Sequence, residues 1–376
     1  MSSVANSSLD LAVGQLFFIG LEGPALLPKE ADFIVKNNIG GVTLFGRNLK
    51  SVPELHKLCS DLWALRSKMP NKSALFIAID MEGGRVHRLK PPFTQWPSLA
   101  KLAALNSTTT AFKFANMMGL ELKSVGINLD FAPCIDVLTN PKNVLIGDRS
   151  IGTDPEFVAK IASALVRGYI KAGVISCAKH FPGHGNTIID SHEDLPIEDV
   201  DMATLESREL IPFKKSFRAR MDMVMTAHIK YQKIDPILPA TLSPIIIKKL
   251  IREQLKYRNI VISDDLDMKA LTNNYSREKI PVMALQAGCD VLLYCNDFTS
   301  PPIALEQVKK AIASGEVSKT QIEESLARVA SLKKEFLVNA GPLPLEEASK
   351  IIGNPEHLRV AKSILEGRSP EDLRVT

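Results

Sequence analysis

Long runs of one charge are missing from this chain. Lys plus Arg number 46 and Asp plus Glu 42, a formal net charge of +4 over 376 residues, with no stretch of five or six basic residues. That leaves out the electrostatic footprint nucleic-acid binding needs. No segment approaches the ~18 uninterrupted apolar residues of a membrane span, so no membrane association is expected. The opening "MSSVANSSLDLAVGQLFFIG" lacks a basic start and a long apolar core before a small-residue cleavage site. It is not read as a secretory signal. Cysteine is scarce: Cys59, Cys134, Cys177, Cys289 and Cys295 are odd in number, scattered and without metal-ligand spacing. Most lie in apolar runs, which reads as buried free thiols in a reducing compartment. The expected location is cytoplasmic. Internal repeats and low-complexity tracts are also missing.

What the chain does contain is a series of short apolar runs. They are "GQLFFIG" (14–20), "GGVTLF" (40–45), "ALFIAID" (74–80), "GINLDFAP" (126–133), "GVISCAKHF" (173–181), "DMVMTAHI" (222–229), "NIVISDD" (259–265) and "CDVLLYC" (289–295). Each is rich in Val, Ile, Leu or Phe without polar alternation, the pattern of strands buried on both faces. Helical periodicity fills the gaps, as in 53–68, 155–171 and 303–314, with Pro53 and Pro155 at first-turn positions. Strands alternating with helices predict a parallel sheet, and eight of them in this length predict a closed (β/α)8 TIM barrel, an α/β fold. A doubly wound open sheet is the alternative, weakened because no Gly-rich nucleotide fingerprint follows the first run. The barrel is expected over 1–340. Residues 341–376, opening with Gly and Pro, are expected to form a short helical C-terminal appendage packed on it, with a loose tail.

In such a barrel the active site lies at the C-terminal ends of the strands. The third run ends in Asp80, followed by "MEGGRVHR"; the fourth leads through "APCID" to "GDRS"; the fifth ends in Lys179 and His180; the sixth ends in His228; the seventh ends in Ser263, Asp264 and Asp265. Each has a plain alternative. Asp80 can cap a turn, Arg149 can pair with Asp148 or Asp154, and Lys179 can be an ordinary ion-pair partner. Five strand ends carrying such groups together predict one polar pocket. The segment 179–192, "KHFPGHGNTIIDSH", holds three of the chain's seven histidines. If it runs extended, Asp190 and His192 fall on the same side, and the carboxylate can orient the ring as a proton donor and acceptor. Gly183 and Gly185 suit a mobile lid. His180 and His184 are four apart, but Pro182 and Gly183 deny them the helix a zinc motif needs, so no metal is expected. A carboxylate at 264 can act as a nucleophile, and because neighbours in a strand point oppositely, Asp265 is expected to cap or support instead.

These motifs carry a resemblance. "KHFPGHG" with "DSH", then "IVISDDLDM", together with "IDMEGGRVHRL", "GINLDFAPCIDV", "IGDRSIG", "DMVMTAHI" and "NPEHLRVAKSIL", resemble glycoside hydrolase family 3. The likeness is nearest to its bacterial β-N-acetylglucosaminidases of the cytoplasmic peptidoglycan-recycling type. It implies a retaining double displacement in which Asp264 is the nucleophile and His192, supported by Asp190, the acid/base, a departure from the usual carboxylate pair. It also implies that Asp80, Arg88, Arg149, Lys179 and His180 hold an N-acetylglucosamine unit, with His228 lining the same pocket. Asn259 stands where the pattern has Gly, and Ile151 where it often has Phe; neither removes a charge. The resemblance implies action on a small carbohydrate, a GlcNAc-containing muropeptide, with no metal and no organic cofactor; a monomer with no nucleic-acid or membrane partner is expected. A β-glucosidase and a non-catalytic muropeptide sensor are the alternatives.

Overall fold

The computed structural model describes residues 9–370 apart from 192 and 297. All eight apolar runs contain a barrel strand. These are β1 (Phe17–Gly20), β2 (Gly41–Leu44), β3 (Phe76–Ile79), β6 (Leu129–Asp130), β7 (Ile175–Phe181), β9 (Met223–Thr226), β11 (Ile260–Asp265) and β12 (Val291–Tyr294). The remaining strands are small excursions: the hairpin β4 (Met81–Gly83) and β5 (Val86–His87), and the pair β8 (Ile197–Glu198) and β10 (Lys230–Tyr231). The eight main strands close in the order β1-β12-β11-β9-β7-β6-β3-β2. Every rung is parallel, and β1 closes the ring by pairing with both β12 and β2. The expected (β/α)8 barrel is therefore the fold. Nearly every strand residue is buried, because the outer helices cover the face that the barrel interior does not. Burying side chains of this kind is worth about 2 kcal/mol each, and that is what selects apolar runs without alternation.

The helices form where their end signals stand. The helix Pro155–Ala172 starts with Pro155 in its first turn behind Asp154, whose carboxylate accepts the amide of Phe157 at 2.6 Å. It ends at Gly173 in the left-handed region, and the chain then enters β7. Asp154 is thus a helix cap and no partner for Arg149. The helix Val52–Ala64 begins the same way, with Ser51 accepting from Glu54. Among the described residues no helix is long and apolar enough to cross a membrane. All five cysteines are free and buried.

After the helix Lys319–Phe336 the chain returns across the barrel and ends in two short helices, Leu345–Ile351 and Pro355–Leu365. A single buried carboxylate organises that return. Glu121, on the helix Thr108–Ser124, accepts the Thr94 amide at 3.0 Å and hydroxyl at 2.6 Å, the Gly353 amide at 3.1 Å and the His357 Nδ1 at 2.7 Å. Trp96 packs against the His357 ring. His56 and Ser124 fasten the approach by bonding the main chain of Leu343. A carboxylate with four donors is stable in the interior; one that has lost its donors is not. His357→Ala is therefore expected to lower stability by about 2 kcal/mol, and Glu121→Ala by more, since it strands four donors at once. Thermal unfolding of the two variants beside the native chain checks both the loss and the order.

Candidate active site

A cavity of about 370 Å³ opens at the C-terminal ends of the strands, bordered by Asp80, Glu82, Arg88, Arg149, Lys179, His180, Asp264 and Asp265. Its apolar lining comes from Phe131, Met225 and Leu293. The volume lies in the range typical of small-molecule pockets.

The charged wall is one chain of contacts. The Lys179 ammonium donates to Asp80 Oδ1 at 2.7 Å and to Glu82 Oε1 at 2.8 Å. Glu82 in turn receives Arg149 as a fork, Nε to Oε2 at 2.8 Å and Nη2 to Oε1 at 2.9 Å. Arg88 closes the far end at 3.9 Å from Asp80, and its Nε has no partner among the described residues. Burial alone would push the Glu82 carboxyl up, but the Arg149 and Lys179 charges outweigh it and hold the group far below the usual carboxylate range. For Lys179, burial opposes the charge, and Asp80 with Glu82 overcomes it and keeps the ammonium protonated. Arg149 pairs with Glu82, while Asp148 pairs instead with Arg85 at 3.2 Å.

A second buried acid, Asp136, orders the two histidines. It accepts the His180 ring Nδ1 at 2.7 Å and the main-chain amides of His180 and His184, the latter at 2.6 Å. Burial raises its carboxyl, but the His180 and His184 contacts outweigh that and bring it to about 2. The Arg149 Nη2 lies 3.5 Å from His180 Nε2. Since guanidinium only donates, Nε2 faces it as the acceptor and the Nδ1 proton goes to Asp136. Cys134, Asp136 and His180 bring donor atoms within 4.8 Å of one another, the spacing of a metal group. The carboxylate there is already spent on N–H donors, and burial pushes the Cys134 thiol far up, so this donor set fits a hydrogen-bonded cluster better than a cation.

Two bulges explain why consecutive residues reach the cavity. Along β7, Ala178 pairs with Val224 and Phe181 with Thr226, so three steps on one strand match two on the other. Along β11, Ile262 pairs with Val291 and Asp265 with Leu293, the same mismatch. A bulge breaks the two-residue alternation and re-aims side chains. Lys179 and His180 therefore both border the cavity, and so do Asp264 and Asp265. The expectation that only one of the two aspartates faces the pocket fails for that reason. The Asp265 carboxylate nevertheless has a supporting part: its Oδ1 accepts the amides of Asp267 at 3.1 Å and Cys295 at 3.3 Å. Asp264 is partly exposed to the cavity and accepts the Asp265 amide at 2.8 Å.

The remaining sequence candidates are placed as follows. His228 is buried behind the wall, with Nε2 on the Asp265 carbonyl at 2.9 Å and Nδ1 on Thr241 at 2.7 Å. It braces the end of β11, and it is not among the described residues that border the cavity. His192 lies outside the described residues, and the expected contact with Asp190 goes with it. The Glu193 and Asp194 amides both donate to the Asp190 carbonyl, at 2.9 and 3.1 Å. Ser191 borders the cavity and is held from two sides, by His184 Nε2 at 3.2 Å and by the Ala270 amide at 3.3 Å. Thr187 donates its hydroxyl to the His184 carbonyl, so His184 Nδ1 donates to Thr187 and Nε2 accepts from Ser191. Burial and the nearby His180 lower the His184 ring to about 4, keeping it neutral. Gly183 and Gly185 are buried close-approach positions. A Cβ at Gly185 would stand 1.8 Å from the Val137 carbonyl, and one at Gly183 2.5 Å from Glu209, with φ at +138°.

Glu82 and Asp136 are the residues that sequence reasoning missed. The available signal was an acid inside "DMEGG" and another inside "APCIDV", both in apolar company, where a carboxylate persists only with partners.

The comparisons with known proteins agree on one family. The model of the glycosyl hydrolase family 3 N-terminal domain matches residues 8–332. Beta-hexosaminidase A of Pseudoalteromonas piscicida is 33% identical over 364 residues, 89% of this chain; the chain spans only 59% of that protein. A family 3 β-N-acetylglucosaminidase from Paenibacillus sp. str. FPU-7 superposes with a TM-score of 0.89 at 34% identity, over 96% of this chain and 68% of that one. NagZ from Neisseria gonorrhoeae, solved with N-trifluoroacetyl-D-glucosamine, superposes with a TM-score of 0.77 at 28% identity, over 94% and 98%.

Burial raises the Asp265 carboxyl to about 7, against about 3.9 for an unperturbed aspartate. The folded-state value lies above the unfolded one, so the stability this group contributes is complete below about pH 4 and is lost as the pH rises to about 7. Asp265→Asn keeps both accepted amides and cannot ionise. Its melting temperature relative to the native chain is expected to climb between pH 5 and pH 8; a constant difference would show the carboxyl ionises freely.

Proposed function

The chain belongs to glycosyl hydrolase family 3, and from that premise we propose that it is a retaining, exo-acting β-N-acetylglucosaminidase. Its substrate class would be fragments of peptidoglycan that end in a non-reducing β-linked N-acetylglucosamine, such as N-acetylglucosaminyl-1,6-anhydro-N-acetylmuramic acid, met in the cytoplasm. The observation that carries the reading is the cavity itself: a carboxylate at a strand end shares a space of about 370 Å³ with Asp80, Arg88, Arg149, Lys179 and His180. The names of the family 3 relatives support the choice of sugar.

In this reading Asp264 attacks the anomeric carbon. The bond to the aglycone oxygen breaks, that oxygen takes a proton from His192, and a glycosyl ester remains on Asp264. Asp190 favours the charged imidazole and fixes its orientation. In the second step His192 takes a proton from water, the water oxygen attacks the same carbon, and Asp264 leaves with the bonding pair. Two inversions return the β configuration. Asp80 accepts from sugar hydroxyls while Arg88 and Lys179 donate to them. Because Lys179 and Arg149 are already ordered by Glu82, little reorganisation accompanies binding. No step calls on a metal.

Cleavage of aryl β-N-acetylglucosaminide and aryl β-glucoside, with a chelator present, tests the proposal. The acetamido sugar is expected to be cleaved and the glucoside left. Asp264→Asn is expected to lose about 10³-fold or more in kcat. His192→Ala is expected to lose far more on an alkyl than on an activated aryl aglycone, since a good leaving group needs little protonation. Preference for the glucoside would overturn the substrate class, an Asp264→Asn variant that still turns over would overturn the mechanism, and no cleavage of either by the native chain would overturn both.

A further inference from the structure

The other end of the barrel holds a second cavity of about 370 Å³. It is formed where the chain enters the strands: Gln15 precedes β1, Ser73 precedes β3, and the helix Lys319–Phe336 crosses beneath them. Of its fifteen lining residues four are basic, Arg66, Lys72, Lys333 and Lys334, and none is acidic.

Lys333 is the unusual member. It is buried, at 9% exposure. Its ammonium donates to the Gln15 Oε1 at 2.7 Å and lies 3.3 Å from the Ser73 hydroxyl, with the Phe76 ring centroid 5.0 Å away. Neither oxygen carries a charge, and the third N–H has no acceptor among the described residues. Buried lysines are ordinarily paired with a carboxylate, because a lone ammonium loses its hydration without compensation. Here the described residues supply none, and burial alone pushes the group down to about 7. The surroundings are nonetheless built. The Gln15 amide nitrogen is committed to the Asn38 carbonyl at 2.8 Å and to Asn38 Oδ1 at 3.0 Å, which fixes its oxygen toward Lys333 and Ser73. Arg66 is held by the carbonyls of Lys72 and Val338.

We infer that this cavity is a binding site for a small phosphate-type oxyanion, free or carried on a phosphorylated metabolite. The anion would complete the coordination of the Lys333 ammonium and draw the exposed Lys72 and Lys334 over it. A charge-assisted bond to a buried ammonium is among the stronger polar contacts a protein makes. The site lies at the opposite pole from the catalytic cavity, so its occupancy bears on stability more than on turnover.

Calorimetric titration of the full chain with inorganic phosphate and with glucose 6-phosphate tests this, alongside melting temperature at ionic strength matched with chloride. Saturable binding of phosphate and a rise in melting temperature over the chloride control are expected. Lys72→Glu changes an exposed side chain outside the catalytic machinery; it is expected to weaken binding at least 10-fold and to leave aryl-glycoside hydrolysis unchanged. Lys333→Met is expected to abolish binding. If glucose 6-phosphate binds at least 10-fold tighter than inorganic phosphate, the occupant is the phosphorylated metabolite; if not, it is the free ion. Phosphate that does no more than chloride, or a Lys72→Glu variant that binds like the native chain, overturns the site.

Discussion

The carboxylate of Glu82 sits between two buried cations, and the end of the barrel that holds the candidate active site is arranged around it. Lys179 and Arg149 come from different strands and loops, and neither would be tolerated in the interior without a counter-charge. With Glu82 in place they become fixed donors whose positions owe nothing to solvent. Asp80 then draws on the same ammonium and offers its other oxygen toward Arg88. Asp136 repeats the device for the histidines, fixing the His180 ring and the His184 main chain with one carboxylate. Neutral His184 passes the order outward to Ser191 and so to the loop that carries Asp190. The cavity is therefore preorganised from its buried acids outward.

That hierarchy explains what could be read from the sequence. The strands are legible because a parallel barrel buries both faces of each one, and such strands are written as uninterrupted apolar runs. Asp80, Lys179, His180 and Asp264 are legible as cavity residues because they stand where those runs stop. Other features are set by pairing between distant segments. The bulges in β7 and β11 exist only relative to their neighbours, so simple alternation misassigns Asp265. Glu82 and Asp136 show their worth only when Arg149 and the histidines arrive from elsewhere in the chain. His228 also ends an apolar run, yet its ring turns to Thr241 and a carbonyl, because the end of β11 offers it an acceptor. The glycines of "HFPGHG" suggest mobility in a linear reading; in three dimensions they let the chain pass against Val137 and Glu209.

The two poles of the barrel use buried charge in opposite ways. At the candidate-site pole every buried cation among the described residues has a carboxylate, and the donors are held still. At the other pole Lys333 has, among the described residues, a neutral amide, a hydroxyl and an aromatic face. A closed barrel makes this division possible: its packed interior separates the ends, so a charge imbalance at one costs the geometry of the other little.

The Glu121 clasp bears on how such barrels are inherited. The match to the family model ends at residue 332, and every described residue that borders the candidate active-site cavity lies before that point. Yet two of the groups that satisfy Glu121, the Gly353 amide and the His357 ring, lie after it. The span that the family model matches is thus shorter than the unit defined by satisfied buried charge. A recombination that joined this barrel to a different tail would keep every cavity side chain and leave a carboxylate in the interior short of its donors. The two short helices thus satisfy a buried charge of the barrel, although none of their described residues borders the cavity.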